Sequence, residues 1–124
     1  MDEKFEKSLK SFYDLLKLKR EKCPWSKELD IEETLKLLEG EISEAKAEIN
    51  NLPNLQDEIG DVFWNVMVLV LLLEEKGVDF SDIIDSCSAK LTRRSPYIFE
   101  DKAITKEEAI VAWRKIKEEE KKKV

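Results

Sequence analysis

An almost unbroken apolar run over residues 62–73 is the feature that most restricts the fold of this chain, because Asn65 is the only polar residue in it. A helix that is apolar on nearly every side must be enclosed by other helices. The run is 12 residues long, whereas a bilayer-spanning helix needs roughly 18 or more. It therefore predicts a core helix. Since a chain of this size has few helices to cover it, a homodimer or homotetramer is expected.

Apolar residues elsewhere in the chain recur at three- and four-residue steps, which predicts amphipathic helices. On the second of these helices the predicted apolar stripe is Leu35, Leu38, Ile42, Ala45 and Ile49. With only three Gly and three Pro among 124 residues, few long loops are expected. The predicted fold class is all-α, a single domain over residues 1–124 built as a bundle of about five helices. The predicted helices cover residues 2–20, 31–50, 54–76, 80–94 and 105 onward, and the charged end at 117–124 is expected to fray.

Short local signals set the expected helix ends. Pro24 predicts a break between residues 20 and 26, and Pro53 predicts another over residues 50–54. The other signals are caps: Asp30 and either Asp79 or Ser81 at helix starts, Gly77 at a helix end, and Thr105-x-x-Glu108 as a capping box.

The composition excludes several function classes. The sequence has no histidine, which rules out histidine bases, catalytic triads with histidine and two-histidine zinc sites. A net charge of −6 argues against a dedicated nucleic-acid binder. Cys23 and Cys87 fit no metal-binding spacing, and the charged start of the chain does not resemble a signal peptide, so a cytoplasmic location is expected. Any metal must be bound by oxygen, which points to Mg²⁺, Mn²⁺ or Ca²⁺.

Two acidic pairs are the candidate functional residues. Glu41 and Glu44 lie on the second predicted helix, and Glu58 and Asp61 lie at the start of the apolar run. A spacing of three places both carboxylates of a pair on one helix face. A carboxylate at the edge of a buried segment is costly unless it is paired, hydrogen-bonded or bound to a cation. If the two helices are antiparallel, the pairs converge on one or two divalent cations.

Each of these residues also has a simpler interpretation. The acids of the second helix could form a solvated face, and Glu58 could complement the dipole at a helix N-terminus. Asn65, one turn beyond Asp61, could be a buried amide satisfied between helices, or it could take part in the site as a ligand or a substrate-binding residue. With no histidine present, a carboxylate is the expected general base, and the candidates are Glu41 and Glu44.

Five segments, in order from about Arg20 to Lys117, resemble the MazG-type nucleotide pyrophosphohydrolases of the all-α NTP pyrophosphatase superfamily. Each segment alone is weak evidence for the family, but all five occur in the order that the family has, which makes the resemblance specific. They are Cys-Pro-Trp-Ser-Lys-Glu at 23–28, Leu-Leu-Glu-Gly-Glu-Ile-Ser-Glu at 37–44, Glu-Ile-Gly-Asp at 58–61, Lys-Leu-Thr-Arg-Arg-Ser-Pro at 90–96 and Trp-Arg-Lys-Ile-Lys at 113–117.

The resemblance implies hydrolysis of a nucleoside triphosphate to the monophosphate and pyrophosphate, for clearance of non-standard or surplus nucleotides. It implies that Mg²⁺, with Mn²⁺ as a possible substitute, binds the four acids Glu41, Glu44, Glu58 and Asp61. It also implies that the triphosphate meets Lys90 and Arg94, and that Trp113 by packing and Lys117 by charge lie near the nucleotide.

The chain departs from the family pattern at several positions. Gly40 stands where the family usually has its first glutamate, Ser26 replaces an aspartate and Ser95 replaces a histidine. These changes leave the base and sugar preference open. One alternative is therefore a related pyrophosphatase with a narrow substrate, such as dCTP, dUTP or phosphoribosyl-ATP. Another is a non-catalytic helical module that binds a divalent cation or a partner helix.

Overall fold

A computed structural model describes residues 2–122, and every regular element within them is helical. The chain forms α1 (Glu3–Lys22), α2 (Pro24–Glu28), α3 (Ile31–Ala47), α4 (Leu52–Glu75), α5 (Phe80–Arg94), a 3₁₀ helix (Pro96–Phe99) and α6 (Lys106–Lys122). The all-α prediction is confirmed. None of these helices is long and apolar enough to cross a membrane.

The elements divide into two compact units, the first ending at Val78 and the second beginning at Asp79. The first unit holds α1 to α4, and the second holds α5, the 3₁₀ helix and α6. The expectation of one domain over residues 1–124 stays a prediction.

The helix α2 is the element that the sequence did not predict, and it explains why the structure has more α-helices than expected. Pro24 was expected to interrupt the helix and instead occupies the first turn of α2. A proline is well tolerated there because the N–H that it lacks has no partner inside the helix. Pro53 likewise lies in the first turn of α4, so the second predicted break shortens to residues 48–51.

The predicted caps form as expected. Asp30 accepts a hydrogen bond from the Glu33 N–H at 2.8 Å, and Asp79 accepts one from the Ser81 N–H at 2.8 Å. Thr105 and Glu108 bond reciprocally at 3.1 and 3.2 Å. Gly77 has a φ of +94° just beyond the end of α4, in the left-handed region that favours glycine. Residues 117–122, which were expected to fray, are helical in the structure and belong to α6. Residues 123–124 lie outside the described part of the chain.

The helices α3 and α4 form an antiparallel hairpin in the first unit, joined by residues 48–51. The C-terminal half of α4 supplies most of the buried apolar side chains, namely Met67, Val68, Val70, Leu71 and Leu72, with Leu16 of α1 and Ala45 of α3. The second half of the apolar run therefore forms a core, as predicted, whereas Phe63, Trp64 and Val66 in its first half are exposed.

The apolar stripe predicted for α3 packs inward only in part, through Leu38 and Ala45. Thr34 and Ala45 are buried, and Leu38, Glu41 and Glu48 are half-buried on the same face. Leu35, Ile42 and Ile49, which the apolar pattern placed inward, are exposed. Because Glu41 lies on the packing face, its carboxylate is directed toward α4 rather than toward solvent.

Arg20 fixes the position of α2 against α1 and α4. Its Nη1 donates to the main-chain oxygens of Ser26 and Leu29, and its Nε and Nη2 donate to the Glu75 carboxylate at 2.8 and 3.0 Å. The hydrogen bonds from Arg20 also lower the pKa of Glu75. This bidentate pair joins the segment that carries Trp25 to the end of the core helix.

Candidate active site

The acidic pairs of α3 and α4 converge where the two helices of the hairpin face each other. Ligand oxygens of Glu41, Glu44 and Glu58 all lie within 4.8 Å of one another, and so do those of Asp57, Glu58 and Asp61. Glu58 belongs to both groups. The sequence analysis expected the acidic pairs to converge if the two helices are antiparallel. The helices are antiparallel, and all four predicted acids lie close together. Asp57 is an additional member that sequence reasoning missed.

Two of these carboxylates each have one oxygen that is buried and forms no hydrogen bond within residues 2–122. These oxygens are the Oε2 atoms of Glu41 and Glu58. Burial, followed by the proximity of Glu44, raises the pKa of Glu41, with smaller contributions from Asp61 and Glu58. Burial and the charges of Glu44, Asp61 and Asp57 raise the pKa of Glu58. The cluster therefore opposes its own ionisation when it holds no cation.

This arrangement fits a hard divalent cation. Carboxylate oxygens are the ligands that Mg²⁺, Mn²⁺ and Ca²⁺ prefer. An orphaned oxygen on each of two facing helices gives a cation two partners that the protein leaves unsatisfied. The acids Glu41, Glu44, Glu58 and Asp61 are thus the side chains that could hold the metal, and Asp57 is exposed at the edge of the group.

A cavity of about 230 Å³ adjoins the acidic cluster. It is lined by Glu41, Asp61 and Asn65 together with Trp25 and Trp64. The remaining lining residues are Lys19, Leu29, Leu37 and Val68. The amide of Asn65 donates to the main-chain oxygen of Asp61 at 2.9 Å, within α4 rather than between helices. Asn65 therefore lies beside the acids, with its amide nitrogen already bonded.

Lys19 joins the two tryptophans of this cavity. Its Nζ lies 5.3 Å from the ring centroid of Trp25 and 5.5 Å from that of Trp64, both within cation–π range. Sequence reasoning assigned no site role to these three residues. Two signals in the sequence could have pointed to the tryptophans. Trp25 lies in the Cys-Pro-Trp segment that resembles the family, and Trp64 follows Asp61 by three positions on the same helix face. Lys19, on α1, had none.

A larger cavity of about 710 Å³ lies elsewhere in the first unit. It is lined by the Arg20–Glu75 pair together with Tyr13, Lys17, Glu21, Lys27, Leu71 and Glu74. It contains none of the clustered acids, and its charged groups balance in sign. The candidate site is therefore chosen by its unsatisfied acids and not by cavity size.

The other predicted site residues belong to the second unit. Arg94, at the end of α5, lies over the indole ring of Trp113 at 5.2 Å from Cζ to the ring centroid. Its Nε and Nη2 donate to Glu120 at 3.1 and 2.7 Å. Lys90 and Lys117 are exposed and form no ion pair within residues 2–122. Glu120 is a residue that sequence reasoning missed, since nothing in its charged segment distinguishes it from its neighbours.

The family model described as MazG nucleotide pyrophosphohydrolase domain matches residues 29–99, which is more than half of the chain. The chain belongs to this family. The match includes all four acids as well as Lys90 and Arg94, whereas Trp113 and Lys117 lie beyond it.

One curated relative has a name consistent with this MazG assignment, and another is uncharacterized. The chain is 33% identical over 109 residues to a protein of Escherichia coli K12 named nucleoside triphosphate pyrophosphohydrolase, and the match covers 80% of this chain but 39% of that protein. It is 32% identical over 109 residues to the uncharacterized protein YabN of Bacillus subtilis, of which it covers 21%. The MazG chain thus spans well under half the length of these relatives.

A solved structure has the same fold along nearly its whole length. The crystal structure of a MazG-related protein from Thermotoga maritima superimposes with a TM-score of 0.79 at 28% sequence identity. The match covers 88% of this chain and 98% of that one. The fold of this MazG chain is therefore shared with a protein of similar extent.

Gly40 is the departure from the family pattern that lies nearest the acids. It is inside α3, and a Cβ added there would meet nothing within 4 Å, apart from its neighbours in the helix. The glycine is therefore not required by close packing or by an unusual backbone conformation. Position 40 is exposed.

Proposed function

We propose that this chain hydrolyses nucleoside triphosphates to nucleoside monophosphates and pyrophosphate with the help of Mg²⁺, in clearance of surplus or non-standard nucleotides. The single observation that carries the proposal is the pair of buried, unsatisfied oxygens on Glu41 and Glu58, within a cluster of acids beside an aromatic cavity. Membership of the MazG family supports the same activity.

Glu41, Glu44, Glu58 and Asp61 would hold Mg²⁺, and Mn²⁺ would be a suitable substitute. When bound, the cation supplies neutralising charge to phosphate oxygens and makes nearby water more acidic. A carboxylate then accepts the proton of the attacking water, because the sequence offers no histidine. Glu41 and Glu44 are both candidates for this base.

The remaining residues bind and orient the nucleotide. We assign Trp25 and Trp64 to stacking of the base, since they line the cavity that Glu41 and Asp61 also line. Asn65 lines the same cavity and is assigned to substrate binding. Lys90 and Arg94 would stabilise negative charge on the pyrophosphate leaving group. Trp113 would act by holding Arg94, and Lys117 would contribute charge.

We further propose that the chain acts as a homodimer or homotetramer. Two apolar residues on the outward face of α3, one in the turn after it and three on α4 are between 41% and 69% exposed: Leu35, Ile42, Ile49, Ile59, Phe63 and Val66. Exposed apolar residues at helical spacing on two adjacent helices are typical of a contact with another helix pair. Light scattering on the purified chain would test this, and a monomer at micromolar concentration would contradict it.

The activity is tested by pyrophosphate release from a panel of ribo- and deoxynucleoside triphosphates, with Mg²⁺ and with EDTA. We expect release that requires the metal and falls by at least about 100-fold in Asp61→Asn. Glu39→Gln, an equal change of charge at an exposed position of α3, should leave release unchanged. Activity confined to one nucleotide, such as dCTP or dUTP, would favour the narrow-substrate alternative.

A folded protein that binds Mg²⁺ and releases no pyrophosphate from any nucleotide would overturn the proposal. It would favour a non-catalytic, metal-binding helical module. Unchanged Mg²⁺ affinity in both Glu58→Gln and Asp61→Asn would instead show that the acids are wrongly assigned.

A further inference from the structure

Two arginines of the second unit share one carboxylate. Arg94 donates from Nε and Nη2 to Oε1 of Glu120, and Arg93 donates from Nε to Oε2 of the same residue. The side chains of Arg94 and Glu120 are only 15% and 22% exposed, whereas that of Arg93 is 48% exposed. Both oxygens of Glu120 are thus engaged, and the three groups keep a net positive charge.

The guanidinium of Arg94 is held on two sides. The guanidinium lies over the ring of Trp113, with 5.2 Å between Cζ and the ring centroid, and Glu120 holds the edge formed by Nε and Nη2. A guanidinium has five N–H donors in a rigid plane. Nη1 has no hydrogen-bond partner within residues 2–122. A second edge of the same group is therefore available to an anion while the first edge stays bound.

Lys90 and Lys117 provide the contrast within the same unit. Both are exposed, and neither has an ion pair in the described part of the chain. A free lysine side chain loses rotamer freedom when it binds a phosphate, whereas a guanidinium already fixed in its plane loses less. Among the basic residues assigned to the triphosphate, Arg94 is thus the one whose geometry is set in advance.

We propose that Glu120 is a positioning residue, which together with Trp113 orients Arg94 so that its free edge meets the triphosphate. The inference rests on the proposed function, because it takes Arg94 as a phosphate-binding group. Glu120 does not itself contact the nucleotide. It acts through Arg94, and Arg93 completes the neutralisation of its second oxygen.

The test compares Glu120→Ala and Glu120→Gln with the wild-type chain in pyrophosphate release at saturating Mg²⁺. Loss of a charge-assisted pair that fixes Arg94 should raise KM by about ten-fold in Glu120→Ala, and by less in Glu120→Gln. It should also lower kcat, because Arg94 both binds the triphosphate and stabilises charge on the leaving group. A general structural defect would lower the folded fraction and would leave KM of the folded molecules unchanged. Glu119→Gln, the same charge change at the adjacent exposed position, should leave both constants as they are.

A second measurement does not depend on turnover. Calorimetric binding of inorganic tripolyphosphate to the whole chain should weaken by a similar factor in Glu120→Ala. An unchanged or lowered KM, with unchanged tripolyphosphate affinity, would overturn the positioning role. If the wild-type chain releases no pyrophosphate yet binds tripolyphosphate, and Glu120→Ala weakens that binding, the proposed activity fails while the positioning of Arg94 stands.

Discussion

Glu41 of α3 and Glu58 of α4 face each other across the hairpin, and each has a buried Oε2 atom with no hydrogen-bond partner among residues 2–122. Neighbouring acids raise the pKa of both carboxyls, after the larger effect of burial. A raised pKa in the folded state means that the ionised carboxylates weaken the fold at neutral pH, and the penalty is relieved as the pH falls through that pKa. A bound cation relieves it without a proton.

The first prediction concerns stability with and without metal. In EDTA, Glu58→Gln should raise the melting temperature, because the amide removes a charge from a self-repelling cluster. With Mg²⁺ the wild-type protein should melt at a higher temperature than in EDTA, and the variant should lose most of this shift. Thermal unfolding followed by circular dichroism measures both effects. Glu39→Gln should retain the wild-type shift, and a full Mg²⁺ response in Glu58→Gln would contradict the assignment.

Gly40 leads to a second prediction, about metal affinity. Since a Cβ there would meet nothing within 4 Å and the position is exposed, Gly40→Glu should fold and place a further carboxylate one turn before Glu44. One added negative charge near a divalent cation is worth about 1 kcal/mol, or roughly a five-fold lower Kd for Mg²⁺. Gly40→Gln, with a side chain of equal length but no charge, is the matched control. Equal affinities in the two variants would show that position 40 does not act on the metal.

The helices and acidic pairs could be predicted because they depend on local spacing. Caps such as Asp30 and the box of Thr105 with Glu108 involve residues three apart, and the convergence of Glu41 with Glu58 followed once two long helices were joined by a short turn. The inward face of α3 was predicted only in part. Leu38 and Ala45 of the predicted apolar stripe pack inward. Leu35 and Ile42 are exposed instead, and Thr34 and Glu41 lie on the packed face.

The cavity and the Arg94 network could not be predicted, because they depend on contacts between distant segments. Lys19 meets Trp64 only through the packing of α1 near α4, and Trp25 reaches them because Pro24 starts a helix instead of ending one. Glu120 lies 26 residues from Arg94 in a run of similar charges. No local pattern distinguishes it from Glu118 or Glu119.

The third prediction concerns the stability of the fold at acid pH and follows from the ion pair between Glu120 and Arg94. Hydrogen bonds from Arg94 and then Arg93 lower the pKa of Glu120 to about 2. A depressed pKa in the folded state stabilises the fold fully above the ordinary glutamate pKa of about 4.3, and this contribution is lost as the pH falls toward the folded value. Glu120→Gln should therefore destabilise the second unit at about pH 6 and progressively less toward about pH 3.

Urea unfolding followed through the indole N–H resonance of Trp113 reports on α6 directly. The difference in unfolding free energy between wild type and Glu120→Gln should shrink as the pH is lowered. Glu119→Gln, with the same change of charge on the same helix, should show a smaller difference at each pH. A difference for Glu120→Gln that stays constant over this range would show that the ion pairs do not stabilise the unit.

The fourth prediction concerns the aromatic cavity. Trp25 is 64% exposed and lies under the Lys19 ammonium, so little of its area supports the core. Trp25→Ala should cost less than about 1 kcal/mol in unfolding free energy, as an exposed substitution. It should raise KM for nucleoside triphosphates by about ten-fold, because stacking on an aromatic side chain is worth roughly 1–3 kcal/mol per base.

Binding of inorganic tripolyphosphate distinguishes a role of Trp25 in binding the base from a role in binding the phosphates. It has no base to stack, so its affinity should be the same in Trp25→Ala and in the wild-type chain. Phe5→Ala removes another exposed aromatic side chain of the first unit that does not line the cavity, and it should leave KM unchanged. Were Trp25→Ala to weaken tripolyphosphate and nucleotide equally, the tryptophan would act on the phosphate end, and the base would have to bind elsewhere.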